Sequence, residues 1–183
     1  MTRLERALVE VAGVLDGLRI PYMLIGGLAV AQWEEPRATL DIDVTVWVEP
    51  EELESVIGAL SRSLSPKPKD PVTFVKDMRV LPAMTSQDVP VDLIFAAWLF
   101  EKEAIQNAPE RLIEGHTIRV APLEYLLFLK LTSERDKDFQ DALRLVRRHR
   151  GKFDSEWLEQ RLHETAEALG QPSILDRYRR ASQ

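Results

Sequence analysis

The segment GGLAVAQWEEPRATLDID, residues 26–43, indicates the fold of this chain. It follows a short apolar run that begins after Pro21, so Gly26 and Gly27 form a turn between a predicted strand and a predicted helix. Glycines let the backbone approach a ligand closely, and a helix start offers unpaired N–H groups to an anion such as a phosphate. The segment therefore predicts a strand, a turn suited to phosphate and a short helix in succession.

Two aspartates end the segment on a second predicted strand. Asp41 lies fourteen residues after Gly27, and side chains two positions apart on a strand point to the same side. Asp41 and Asp43 can therefore hold a hard divalent cation between them. If the strand begins earlier, Arg37 and Thr39 lie on the same face. A phosphate-binding turn beside two carboxylates is what metal-assisted phosphoryl or nucleotidyl transfer requires.

A third carboxylate lies on a later predicted strand. Asp92 is the single charge in the apolar run VPVDLIF, residues 89–95. An unpaired charge in such surroundings would cost on the order of several kcal/mol, so Asp92 requires a partner. A metal ion is one candidate partner, and an arginine side chain is another.

The rest of the pattern predicts an α/β (α+β) fold, in which a small mixed sheet with flanking helices precedes a helical segment. We place the core at residues 1–118 and the C-terminal helical segment at residues 119–183. Ser133, with Asp136 three residues later, resembles a capping box and predicts a break between two helices. The predicted strands cover 22–25, 40–48, 73–84 and 89–95, with an extended piece over 116–120; a loop covers 61–71, and the helices cover 3–18, 28–33, 50–60, 98–107, 122–132, 135–149 and 154–168, with a short last piece.

Composition narrows the class of protein. The chain has 183 residues, of which 45% are apolar and 30% charged, which is enough for one globular domain with a real core. Its longest purely apolar run covers eight residues, 93–100, against the ~20 that a bilayer span needs. The N-terminus carries acid and leads into no long apolar stretch, so we expect no signal peptide. The lack of cysteine excludes disulfides and thiolate sites and favours a cytoplasmic location.

Charge is unevenly distributed along the chain. The net charge is −6, but residues 1–116 hold 11 basic against 19 acidic residues, whereas residues 117–183 hold 13 against 11. The acidic first part argues against a nucleic-acid-coating surface there. A basic cluster in the second part can contact RNA phosphates or form a solvated helix end. Its members are Arg144, Arg147, Arg148, Arg150 and Lys152.

The order of Gly26-Gly27, Asp41-Ile42-Asp43 and Asp92 resembles the nucleotidyltransferase superfamily with the DNA polymerase β-type palm. The run LKLTSERDKDFQD, residues 129–141, is similar to the lysine motif and the Arg-x-Lys-Asp-x-x-Asp motif of the AbiEii-like branch. That branch includes abortive-infection toxins and toxins of toxin–antitoxin pairs. The resemblance covers residues 20–145. Gly27 stands where many members have serine, which removes a hydroxyl contact to phosphate but no metal ligand.

The resemblance implies a role for each motif residue. Mg²⁺ (or Mn²⁺) would be held by Asp41, Asp43 and Asp92, and Asp92 would activate the acceptor hydroxyl. Lys130 would neutralise phosphate charge, oriented by Asp141 or Asp138. The implied catalytic residues are thus Asp41, Asp43, Asp92, Lys130 and Asp141, and the implied nucleotide-binding residues are Gly26, Gly27, Arg37, Thr39, Lys137 and Asp138.

The resemblance also implies a reaction. A nucleoside monophosphate would move from an NTP to an acceptor hydroxyl on RNA, on tRNA or on a protein, and an antitoxin would be a partner. Two alternatives stay open. A small-molecule transferase that modifies an antibiotic would show a strongly acidic cleft for a cationic substrate. A degenerate palm would serve as a binding module, although such a module has no need for three converging carboxylates.

Overall fold

The fold is given by a computed structural model that covers residues 1–35 and 38–183. Contacts between Cα atoms divide the chain into two compact units. The first comprises Met1–Ala29 and Arg37–Ala121, and the second comprises Val30–Pro36 and Pro122–Gln183. The first unit contains a mixed sheet with helices, and the second is helical in its described residues, so the protein is of the mixed α/β class.

A five-stranded mixed sheet forms the centre of the first unit. The strands β2 and β5 are parallel to each other, and the other neighbouring strands are antiparallel. The spatial order is β1-β2-β5-β4-β3, where the strands are β1 (Tyr22–Ile25), β2 (Ile42–Val46), β3 (Ser65–Pro66), β4 (Val80–Met84) and β5 (Pro90–Phe95). The two strands that carry the candidate carboxylates are therefore neighbours inside the sheet.

Alternation along β2 and β5 separates an apolar face from the candidate site. Because side chains two positions apart share a face, the odd and even positions of each strand lie on opposite sides of the sheet. Asp43 and Asp92 therefore lie on the face opposite to the fully apolar one. That apolar face contains the buried side chains Ile42, Val44, Val46, Val91, Leu93 and Phe95.

Helices and a separate hairpin complete the elements up to residue 119. Thr2 begins the first helix with a capping box, because its hydroxyl accepts from the Glu5 N–H and the Glu5 carboxylate accepts from the Thr2 N–H. A 3₁₀ turn at Pro50–Glu52 precedes the third helix. The helices are α1 (Arg3–Gly17), α2 (Gly26–Trp33), α3 (Leu53–Ser63), α4 (Pro71–Met78) and α5 (Leu99–Gln106), and the hairpin consists of β6 (Glu110–Ile113) and β7 (His116–Arg119).

The strand predicted over residues 73–84 is wrong in its first half. Residues Pro71–Met78 form α4, and only Val80–Met84 are extended. The Asp70 carboxylate accepts hydrogen bonds from the Thr73 N–H at 3.1 Å and the Thr73 hydroxyl at 2.7 Å, and Pro71 occupies the first helical position. These start signals outweigh the β propensity of the valine, threonine and phenylalanine that follow.

Two short strands are absent from the predictions. The strand β3 lies inside the loop predicted over 61–71 and pairs with the end of β4. The strand β6 pairs with β7, which matches the extended piece predicted over 116–120. At two and four residues, the two strands are too short to show a convincing two-residue period.

Four helices form most of the second unit, as predicted. Helix α6 contacts all three others and is buried around most of its circumference. The helices are α6 (Leu123–Thr132), α7 (Asp136–Arg148), α8 (Ser155–Leu169) and α9 (Ser173–Ser182). The break at Ser133 is confirmed, but its capping box is wrong. Ser133 ends α6, and its hydroxyl donates to the Asp138 carboxylate at 2.7 Å instead of capping α7.

Candidate active site

Asp43 and Asp92 occupy directly adjacent positions on the two parallel strands. The register of β2 with β5 places Asp43 opposite Asp92, and both side chains are half-buried. The same row of the sheet continues to Ile25 on β1 and to Pro82 on β4. Two carboxylates thus meet at the centre of the row.

Asp41 lies just before β2 and is exposed. The Thr39 hydroxyl donates a hydrogen bond to its carboxylate at 2.7 Å. Thr39, to which the resemblance assigns nucleotide binding, thereby orients Asp41, and that assigned role stays a prediction. Arg37, also assigned to nucleotide binding, lies outside the described residues, so that assignment stays a prediction.

Electrostatic interactions link Asp92 to Asp41 and to a lysine. Burial raises the pKa of the Asp92 carboxyl above its usual value, the Lys67 ammonium opposes this shift, and the Asp41 carboxylate adds to it. Asp41 and Asp92 therefore interact through space. Like charges at such a site repel each other, and a bound cation would relieve that repulsion.

Gly26 is required where the turn meets the carboxylates. Its φ is +67°, a conformation that favours glycine, and a Cβ atom added to it would overlap the Asp43 carboxylate. Gly26 also begins α2, and Gly27 follows it in a buried position. The turn and the second aspartate, seventeen residues apart in sequence, are therefore in direct contact.

The donor set of this row fits Mg²⁺ or Mn²⁺. In residues 1–35 and 38–183 there is no group of three or more His, Asp or Glu side chains spaced to hold a metal ion. Mg²⁺, however, is commonly held by one or two carboxylates, with the other ligands coming from water and substrate phosphates. Asp43 and Asp92 provide such a pair, and Asp41 lies close enough to affect Asp92 electrostatically.

Lys130 lies in a buried ion-pair network of the second unit. The lysine is 5% exposed, and its Nζ lies 2.5 Å from the Asp138 carboxylate and 3.3 Å from that of Asp141. Arg135 and Arg144 add ion pairs at 2.6 Å to Asp138 and 2.5 Å to Asp141. The network joins the end of α6 to the first two turns of α7.

The network keeps Asp138 ionised. Burial raises the pKa of the Asp138 carboxyl, but hydrogen bonds from Lys130 and Ser133 and the charges of Lys130 and Arg135 outweigh it, so the pKa is lowered. Lys137 is exposed on a different helix from Lys130. Because α6 ends before α7 begins, Lys130 and Lys137 do not share a helical face.

Several members of the basic cluster contact groups within the second unit. Arg148 pairs with Glu34 at 3.6 Å, and Arg150 donates to the carbonyl oxygens of Ser182 and Gln183. Arg147 and Lys152 are exposed. RNA contact by this cluster stays a prediction.

Lys67 lies close to this site but was not predicted from the sequence. It follows β3 in a segment that was predicted to be a loop because of its prolines. The Lys67 N–H donates a hydrogen bond to the Pro82 carbonyl at 2.9 Å, which extends the row of Asp43 and Asp92 to the edge of the sheet. The one signal in the sequence is the alternation of proline and lysine over residues 66–69.

Among the described residues, no helix is long and apolar enough to cross a membrane.

Solved structures with a similar fold are nucleotidyltransferases or resemble them. An antigenic nucleotidyltransferase-like protein from Paracoccidioides brasiliensis matches with a TM-score of 0.58 at 16% identity, over 94% of this chain and 92% of that one. The antibiotic-resistance factor ANT(2'')-Ia matches with a TM-score of 0.62 at 16% identity, over 91% of this chain and 93% of that one.

A third solved structure, the lincosamide antibiotic adenylyltransferase LnuA, matches with a TM-score of 0.53 at 14% identity, over 77% of this chain and 95% of that one. At sequence identities this low, the three matches support a similar fold only.

No curated protein matches the sequence. The family model described as "Nucleotidyl transferase of unknown function (DUF2204)" matches residues 4–180, which is nearly the whole chain. The chain therefore belongs to this family and is a nucleotidyltransferase.

Proposed function

We propose that the protein transfers a nucleoside monophosphate from an NTP to an acceptor hydroxyl, with Mg²⁺ or Mn²⁺ held by Asp41, Asp43 and Asp92. The observation that carries this proposal is the adjacency of Asp43 and Asp92, with Gly26 packed against the Asp43 carboxylate. A glycine turn in contact with a carboxylate pair brings the phosphate-binding and metal-binding elements of such a reaction together.

The reaction is an in-line substitution at the α-phosphorus of the NTP. The acceptor oxygen forms a bond to that phosphorus, the bond to the bridging oxygen of the β-phosphate breaks, and pyrophosphate leaves. Asp92 accepts the proton of the acceptor hydroxyl, and burial raises the pKa of its carboxyl, which favours this role. Gly26 and Gly27 leave room for the triphosphate. A bound divalent cation supplies charge neutralisation at the phosphates.

Lys130, Asp138 and Asp141 have a supporting role in this proposal. We assign nucleotide transfer to residues 1–118 and assign the helices of residues 119–183 to substrate contacts. Because Asp138 and Asp141 already neutralise the ammonium, phosphate binding by Lys130 would require it to leave one of them. The ion pairs therefore define the resting position of Lys130.

The lysine motif and the Arg-x-Lys-Asp-x-x-Asp motif support an AbiEii-like toxin role in the cytoplasm, with RNA, tRNA or a protein as acceptor and an antitoxin as partner. The alternative is an antibiotic nucleotidyltransferase. It is favoured by the fold of ANT(2'')-Ia and by that of LnuA, whose solved structure has lincomycin bound. The two acceptor classes differ in charge, which makes them separable by experiment.

Binding of NTP with and without Mg²⁺ tests the proposal. We expect calorimetry to show Mg²⁺-dependent binding to the wild-type protein and at least about tenfold weaker binding to Asp43→Asn/Asp92→Asn, since both metal ligands lose their charge. Asp88→Asn is the control, because Asp88 is an exposed acid of the β4–β5 turn whose left-handed φ asparagine tolerates. Equal binding by all three proteins would contradict the proposal, and no binding by any would favour a degenerate binding module.

A further inference from the structure

A groove opens at the β3–β4 edge of the sheet, next to the candidate carboxylates. It has a volume of about 520 Å³, within the ~300–1,000 Å³ of typical ligand clefts. Lys67 and Pro82, which extend the row of Asp43 and Asp92, line this groove. Neighbouring strands lie ~5 Å apart, so the groove begins about one strand spacing from Asp92.

The groove and the glycine turn lie at opposite ends of the same row. Gly26 follows Ile25 on β1, the strand next to Asp43, whereas Pro82 lies on β4, the strand next to Asp92. A nucleotide at the glycine turn would leave the Asp92 side of the row open for the acceptor. Asp92 would then face both reacting partners.

The side chains of the groove combine positive charge with an apolar surface. Lys67 and Lys69 are exposed, and neither forms an ion pair with an acid among the described residues. Phe74, half-buried on α4, lines the same groove, together with Pro68 and Pro82. Lysines bind phosphates, and an aromatic face stacks on nucleobases.

Two acids, Asp70 and Asp77, also line the groove, and among the described residues neither forms an ion pair with Lys67 or Lys69. The Asp70 carboxylate caps α4 through two hydrogen bonds from Thr73. Asp77 lies seven residues later, near the opposite end of the same helix. The two lysines therefore remain available to an anionic ligand, and they would repel a polycationic one such as an aminoglycoside.

We propose that this groove binds the acceptor as a single-stranded nucleic-acid end, with phosphates at Lys67 and Lys69 and a base against Phe74. This inference rests on the proposed nucleotidyl transfer and specifies its acceptor class. A terminal hydroxyl of the strand would then lie beside Asp92. Lys67 and Lys69 determine specificity, because they select an anionic acceptor over a cationic one.

Binding of a single-stranded RNA of about 12 nucleotides with a 5′ fluorescein tests the groove, since this length covers one typical single-strand site. We expect Lys67→Glu/Lys69→Glu to bind at least about tenfold more weakly at low salt. The slope of log affinity against log salt should fall by about 1.4, the value for two lost phosphate contacts. Phe74→Leu keeps the apolar volume but removes the ring, and should weaken binding about fivefold or more.

Arg3→Glu/Arg62→Glu is the matched control, because it makes the same charge change at two exposed arginines that do not line the groove. This control should bind both RNA and Mg²⁺-NTP as the wild type does. If the wild type binds no RNA, or if Lys67→Glu/Lys69→Glu binds RNA like the control, the groove assignment is wrong. Transfer of label to an aminoglycoside or to a protein in preference to RNA would also overturn it. Failure of the wild type to bind NTP would instead contradict the proposed function.

Discussion

Gly26 is the residue at which the backbone and the carboxylates constrain each other. We predict that Gly26→Ala lowers the free energy of unfolding by about 1–2 kcal/mol from the positive φ alone. The new methyl group also displaces the Asp43 carboxylate, so Mg²⁺-dependent NTP binding should be lost. Urea denaturation and calorimetry measure the two effects.

Gly13→Ala provides the control for this change. Gly13 lies inside α1 with open space around its Cα, so alanine should stabilise the protein by about 0.5–1 kcal/mol through the unfolded chain. A Gly26→Ala protein as stable as the wild type, with unchanged NTP binding, would contradict the contact between the turn and Asp43.

Candidate site residues can be identified from the sequence more readily than the contacts between them. The candidates Asp41, Asp43 and Asp92 are recognisable because each is a charged residue next to or within a predicted strand of mainly apolar residues. Their adjacency depends on the register of β2 against β5, which the buried alternating residues fix only when both strands are assembled. Lys67 reaches the site through an edge strand of two residues, which leaves no periodic signal.

At the scale of single elements, α4 shows how local start and stop signals override strand propensity. Arg79 ends α4 in the left-handed region, with a φ of 56°. We predict that Arg79→Gly raises the free energy of unfolding by about 1 kcal/mol, because glycine adopts this conformation without steric cost. Arg79→Ala, which keeps the Cβ atom, should show no such gain. Equal effects of the two substitutions in urea denaturation would contradict the strain at this position.

The buried ion-pair network between helices α6 and α7 gives a second prediction. Asp138→Asn leaves Lys130 without its closest carboxylate and should destabilise the protein by about 3–5 kcal/mol. Asp136→Asn, an exposed change in the first turn of the same helix, should cost less than about 1 kcal/mol. Thermal unfolding of both variants would test this, and equal losses would show that the ion pair contributes nothing specific.

The same network predicts a pH dependence. Because the pKa of Asp138 is lowered in the folded protein, its stabilisation is present above the usual carboxyl pKa and is lost as the pH falls through the folded value. The free energy of unfolding of the wild type should therefore decline more steeply in acid than that of Asp138→Asn. Parallel acid profiles for the two proteins, measured by urea denaturation at several pH values, would contradict the assignment.

At the scale of the whole molecule, the helices predicted over 122–132, 135–149 and 154–168 lie within one residue of the observed bounds of α6, α7 and α8. Each of these helices covers ten or more residues, which is long enough for a helical segment to be recognised in the sequence. The first unit mixes short strands with turns, and its hairpin and edge strand depend on pairing partners distant in sequence. The mixed α/β class was predictable, whereas the order of strands in the sheet was not.

We propose metal-dependent nucleotidyl transfer at Asp41, Asp43 and Asp92. Its most direct test is transfer of the α-phosphate label from each of the four NTPs, with Mg²⁺ and bulk RNA present. We predict labelled RNA with the wild type and with Asp88→Asn, and none with Asp43→Asn/Asp92→Asn, although that variant should remain folded. Label transfer that survives the loss of both carboxylates, or a wild type that labels no acceptor with any NTP, would contradict the claim.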